Sequence, residues 1–258
     1  MAPEYVLCRE RYLKDMRLRI RFSKHGPVRY IGHLDIQRYF QRLNRRSGLK
    51  VVYSEGFSPH QRMSFAMPLS VGCESDAEYF DLEVSEAASS GAVINAMNSH
   101  QAEGILVTGC VLLPDNAQNA MASVRAADYT VSFRTGYEPG FDMEAAAAAF
   151  NASDSFIILK ENKKAAKKKR SFRGSDTEPP AFKELDLKKY VYGLCTKEDN
   201  TVFMRVSADS VDNIKPELVI KALYEKAGKE LPPAALLITR KELYTDNMLS
   251  LLDVGQVF

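Results

Sequence analysis

Arg17-Leu18-Arg19-Ile20-Arg21-Phe22 alternates strictly between charged and apolar side chains. Successive residues of a strand point to opposite faces, so this segment is a strand with Leu18, Ile20 and Phe22 toward a core and three arginines on the other side. The period then changes. Ile36, Tyr39, Phe40 and Leu43 recur at helical spacing, Gly48 ends the stripe, and Arg38, Arg42, Arg45 and Arg46 fill the opposite face. A chain that moves from period two to period 3.6 within 30 residues must pack a helix on a sheet.

The rest of the first half continues the pattern. A short strand is expected over Lys50 to Tyr53, strands around Met63–Leu69 and Glu78–Val84, a helix from Glu86 to about Asn98, and a β-branched run from Gly104 to Leu113. The second half carries strands at Asp128–Arg134 and Ser155–Lys160, an Ala-rich helix from Asp142 to about Asn151, and a hairpin of Tyr190–Cys195 with Thr201–Ser207. A helix opening at Lys215-Pro216 and a strand at Leu236–Leu243 complete it. This element order predicts an α+β chain of two tandem ferredoxin-like (βαββαβ) units. The expected domains are 16–115 and 124–245, the second with a Lys-rich loop at 160–173, followed by an apolar tail at 246–258. The tail would cover an open sheet edge or dock on a partner.

Net charge is +2, which by itself speaks against a nucleic-acid ligand, but the charge is segregated. Residues 1–70 carry a net +9, 71–159 a net −11, 160–190 a net +6 and 191–258 a net −2. Such asymmetry bears on partners. Eleven of the 14 basic residues before position 71 are arginine, whose planar fork suits phosphate and base stacking. No apolar run approaches the roughly 18–20 residues of a membrane-spanning helix, and Met1 to Asp15 lacks the continuous apolar core of a signal peptide. A soluble, cytoplasmic protein without membrane contact is expected. Cys8, Cys73, Cys110 and Cys195 lie far apart, so each reads as a buried reduced thiol, and no metal cluster or cofactor is expected.

The motifs Met16–Lys24, Val28-Arg29-Tyr30-Ile31-Gly32-His33-Leu34-Asp35, Tyr53-Ser54-Glu55-Gly56-Phe57-Ser58-Pro59-His60 and Ser64-Phe65-Ala66-Met67-Pro68-Leu69 resemble one bacterial family. It is the radical-SAM-linked domain of unknown function, found fused to or encoded beside B12-binding radical SAM proteins. The likeness continues through Gly72-Cys73-Glu74-Ser75 and Glu78-Tyr79-Phe80-Asp81, thins, and returns at Glu184-Leu185-Asp186 and Ile238-Thr239-Arg240. It implies a radical SAM protein as partner, and its genomic company hints at RNA. The chain lacks the three closely spaced cysteines such an enzyme needs, so the radical chemistry would belong to the partner.

Several readings of the candidate residues are open. His33, Asp35 and His60, with Glu55, could hold a metal. His33 and His60 could act as the acid–base pair of a metal-independent endoribonuclease. The histidines could also contact RNA, or serve as a helix cap and a loop-fixing hydrogen bonder. Phe57 is read first as an anchor into the core, with an exposed stacking platform as the alternative. The RNA reading takes Arg17, Arg19, Arg21, Lys24, Arg29, Arg38, Arg42, Arg45, Arg46, Phe57, His60 and Arg62 on a helix-free sheet face and its surroundings. It adds Lys163, Lys164, Lys167, Lys168, Lys169 and Arg170 as an electrostatic arm. The competing readings are pairing of the basic face with the acidic segment, and a protein–protein adaptor with no RNA ligand.

Overall fold

The computed structural model describes residues 15–161, 182–197, 199–209 and 212–258. The chain forms a mixed α+β fold, mostly antiparallel, in two compact units. Of the described residues, one comprises those up to Val71, Ala77–Ser123 and Leu249–Phe258; the other comprises Gly72–Asp76 and those within Val124–Met248.

In the first unit the order is β1 (Met16–Lys24), a 3-10 turn (Gly26–Tyr30), α1 (His33–Arg46), β2 (Met63–Phe65), β3 (Glu74–Val84), α2 (Ser90–Asn98), β4 (Ile105–Leu112) and α3 (Ala120–Ser123). The strands lie in the order β4-β1-β3, with β2 beside β3. β1 and β4 are antiparallel, as are β2 and β3. Leu18, Ile20 and Phe22 of β1 join Ile36, Phe40 and Leu43 of α1 and Val93 and Met97 of α2 in one core. The Phe22 and Phe40 rings meet at 4.5 Å, and Phe40 and Phe80 at 4.7 Å. The expected strand at 50–53 is reduced to isolated bridges, Val51 with Val84 and Tyr53 with Gln61. The helix expected from Glu86 begins at Ser90, because the Ser89 hydroxyl accepts from the Ala92 N–H and sets the start there.

The second unit holds β5 (Ala126–Phe133), α4 (Met143–Ala152), β6 (Ile157–Glu161), β7 (Phe182–Asp186), β8 (Val191–Thr196), β9 (Val202–Ser207), α5 (Pro216–Lys226) and β10 (Leu236–Tyr244). Its sheet runs β10-β5-β9-β8, antiparallel throughout, and Glu74 and Ser75 pair in parallel with Thr239 and Arg240. The strand expected near 155–160 is present as β6, and it pairs with β7 in a separate two-stranded sheet rather than joining this one. Strand propensity identifies an extended segment but not its partner.

Candidate nucleic-acid interface

The arginines of β1 point away from α1 and α2, as the alternation requires, yet around Arg17 and Arg19 the face they occupy is covered. Arg19 is fully buried. Its Nε donates to Asp81 Oδ1 at 2.8 Å, one Nη to Asp81 Oδ2 at 3.1 Å, and the guanidinium also reaches the carbonyls of Gln118 and Leu251. The Ala120 N–H donates to the same carboxylate at 2.8 Å. Arg17 donates to the carbonyls of Pro114 and Ala117. The C-terminal segment forms the remaining cover. Gln256 exchanges backbone hydrogen bonds with Leu112 on the edge of β4, Leu251 is buried, and Ser250 meets the Tyr79 hydroxyl at 3.1 Å.

Glycine makes this close approach possible. A Cβ on Gly109 would stand 2.6 Å from Leu252, and one on Gly255 2.6 Å from Val111. Arg19 therefore leaves the set of phosphate contacts. So does Lys24, which is buried against Glu78 at 3.7 Å. Arg17 and Arg21 are half-buried. Around Arg17 and Arg19 the helix-free sheet face expected for RNA is covered by the chain's own residues, while Leu106 and Thr108 of β4 stay exposed.

The α1 arginines have the opposite environment. Arg38, Arg42, Arg45 and Arg46 are all exposed. Arg38 lies 3.4 Å from Asp35, both largely in solvent, and Arg46 donates to the His100 carbonyl. Arg42 and Arg45 have no ion-pair partner among the described residues.

Beside α1 stands the loop 54–60. The Ser54 N–H donates to the His60 carbonyl at 2.8 Å, the His60 N–H donates to Ser54 Oγ at 3.1 Å, and that hydroxyl lies 2.8 Å from His60 Nδ1. The loop base is tied to the helix. Gln61, itself buried, donates to the Gln41 carbonyl and accepts from Asn44, each at 2.9 Å. Gly56 adopts φ +107°, a left-handed conformation that admits the turn at the tip. The anchor reading of Phe57 is corrected: next to Gly56 it is fully exposed. Nothing in its local sequence distinguishes the two outcomes, which depend on the direction the loop takes. The Gln61–Asn44 link escaped the sequence reading; a polar Asn beside the apolar stripe of α1 was its one signal.

A cavity of about 260 Å³ at the loop base brings Arg17, His60 and Arg62 together, with Ser64, Glu83 and Asn119 also in its lining. Arg62 donates to Glu83 at 2.9 Å, which raises the guanidinium pKa further. His33 does not line this cavity. It begins α1 and sets its ring edge-on against Phe65 at 5.3 Å. Asp35 is exposed beside Arg38. Among the described residues no three His, Cys, Asp or Glu side chains are grouped to hold a metal, so the His33, Asp35 and His60 ligand set is not formed. Of the two histidines weighed as an acid–base pair, His60 lines this cavity and His33 packs on Phe65.

Arg29 is half-buried and its guanidinium lies over the Tyr30 ring at 5.0 Å. Lys163, Lys164, Lys167, Lys168, Lys169 and Arg170 lie outside the described residues. Cys73 and Cys110 are buried, and burial pushes the Cys110 thiol up to about 12. Cys195, expected to be buried, is exposed on β8, the edge strand of its sheet. Cys8 is outside the described residues. No helix among the described residues is long and apolar enough to cross a membrane.

A family model described as an uncharacterized protein conserved in bacteria (DUF2344) matches residues 17–216. No curated protein matches the chain significantly.

Proposed function

This chain belongs to the bacterial DUF2344 family, and from that premise we propose that it is a cytoplasmic RNA-binding accessory protein acting beside a radical SAM enzyme. The observation that carries the RNA reading is the pairing of a fully exposed Phe57 on a hydrogen-bonded loop with an arginine-bearing helix tied to that loop. A loop ordered before binding loses little backbone freedom on contact, and base–aromatic stacking contributes roughly 1–3 kcal/mol per base. Arg42 and Arg45 are uncommitted cations on the adjoining helix, suited to phosphate. Single-stranded or looped RNA fits this combination, because unstacked bases are available to an exposed ring.

The strand orders β4-β1-β3-β2 and β10-β5-β9-β8, each with two helices between strands, support two ferredoxin-like units, with β6 and β7 paired apart from the second. The radical SAM partnership rests on the motif resemblance.

Fluorescence anisotropy with a labelled single-stranded RNA at several KCl concentrations tests the RNA reading. Arg42→Glu with Arg45→Glu is expected to weaken binding at least tenfold and to flatten the salt dependence. Phe57→Ala is expected to weaken it about 5- to 100-fold at unchanged salt slope. RNA affinity that is indifferent to both variants excludes this interface. Co-purification with a radical SAM protein and no measurable RNA affinity identifies a protein adaptor instead.

A further inference from the structure

A second site lies wholly within the second unit and owes nothing to the RNA reading. α4 turns Met143, Ala147 and Phe150 into the core, and α5 does the same with Val219, Ile220 and Leu223. Between the helices and the start of β6 is a hollow of about 430 Å³. Its depth comes from residue size, because α4 contributes only Ala146 and Ala149 to the lining.

Its aromatic walls are fixed. Phe141 packs edge-on against Tyr224 at 4.9 Å, and Phe156 packs against Phe150 at 4.9 Å. Leu223 and Ile157 complete the apolar surface, and Ile157 is 60% exposed although it borders the hollow. The volume falls within the roughly 300–1,000 Å³ of small-molecule sites, which are apolar with a few polar groups that fix orientation.

The polar groups here are few and unequal. Asp142 caps α4, its carboxylate accepting from the Ala145 N–H at 2.9 Å, and Ser153 donates to the Phe150 carbonyl. Lys226 is exposed at the rim with no ion-pair partner among the described residues. An apolar hollow whose one carboxylate sits at the N-terminus of α4, where the helix dipole offsets part of its charge, and whose one ammonium has no ion-pair partner among the described residues is complementary to a hydrocarbon or aromatic body with an acidic head. We propose that this cavity binds an anionic amphiphile, a medium-chain or aromatic carboxylate, with its body between α4 and α5 and its head on Lys226.

Displacement of anilinonaphthalene sulfonate from the full-length protein by decanoate, below its micellar concentration, tests this. Saturable one-to-one binding is expected, with decyltrimethylammonium a much weaker competitor. Ala149→Trp, at an exposed position, should fill the hollow and lower decanoate affinity at least tenfold. Lys226→Glu should lower it at least fivefold and narrow the preference for decanoate over the cationic chain. Ile157→Asp, also exposed, supplies a second lining variant if the Trp substitution perturbs folding, and should reduce binding as well. The proposal is overturned if the wild type shows no saturable binding, if the lining variants bind as tightly as the wild type, or if the cationic chain competes as well as decanoate. A hollow that takes no small anion but accepts an apolar side chain of another protein would give the first of these results.

Discussion

Two sets of arginines, less than 30 residues apart in sequence, have opposite environments. Arg19 is in β1 and lies under Leu251 and the segment before α3, bound to Asp81. Arg38, Arg42, Arg45 and Arg46 are on the outer face of α1 and remain in solvent. Both sets are placed by amphipathic periodicity opposite an apolar face, and both read as basic surfaces. A helix on the outside of a sheet has one face that nothing else needs to cover. A sheet has two faces, and a second segment can pack on the polar one if a counter-charge is provided. Asp81 is that counter-charge.

Arg205 of β9 is the intermediate case. It binds Asp128 through two hydrogen bonds at 2.6 and 2.8 Å and stacks on Tyr244 at 4.4 Å, while about a third of its side chain stays exposed.

The sharpest way to break this contrast is Arg19→Ala. It strands the Asp81 carboxylate in a buried site and should cost about 3–5 kcal/mol in urea unfolding. Arg19→Met with Asp81→Leu removes both charges and should recover most of that loss. An equally destabilised double variant would mean that the pair contributes through more than mutual neutralisation. Leu251→Ala tests the cover itself and should cost about 2–4 kcal/mol, since it empties a buried site in the segment packed over Arg19. A change below about 0.5 kcal/mol would show that the C-terminal segment lies on the sheet without stabilising it.

The partly exposed cluster should give a smaller, pH-dependent effect. Burial, and then the hydrogen bond to Asp128, raise the Tyr244 hydroxyl from 10.0 to about 12. The protonated form is thus favoured in the folded state. That contribution is complete below pH 10 and is lost as pH rises toward 12. With solvent screening it should stay below about 1 kcal/mol. Tyr244→Phe should flatten the decline of stability between pH 10 and 12, and an unchanged slope would assign that decline to other groups, Cys110 among them. Arg42→Glu with Arg45→Glu should move stability least, within about 0.5 kcal/mol, because both side chains are exposed. A larger loss would show that the helix arginines are also structural.

The legible parts of the fold were those that local periodicity specifies. The Leu18, Ile20 and Phe22 face, the Ile36, Phe40 and Leu43 stripe and the helix opened by Pro216 could all be read, because a strand or helix must turn its apolar side inward wherever it packs. The partner of β6 could not, since any extended segment can pair with another. Of the candidate site, the exposed α1 arginines were legible and the loop was recognisable as a fixed turn. The orientation of Phe57 and the link from Gln61 to Asn44 were not, because each depends on contacts between residues distant in sequence.

The sequence by itself determined which residues share a face, that charge is divided among blocks, and that no close cysteine triad is present. Tertiary structure alone decided which charged face stays wet. That outcome depends on what packs over a face: the ten C-terminal residues, more than 200 positions from β1, reach it because Gly109 and Gly255 leave room and Asp81 neutralises the buried arginine. Periodicity is a local property of the chain, whereas burial is set by whichever distant segment arrives to complete the surface.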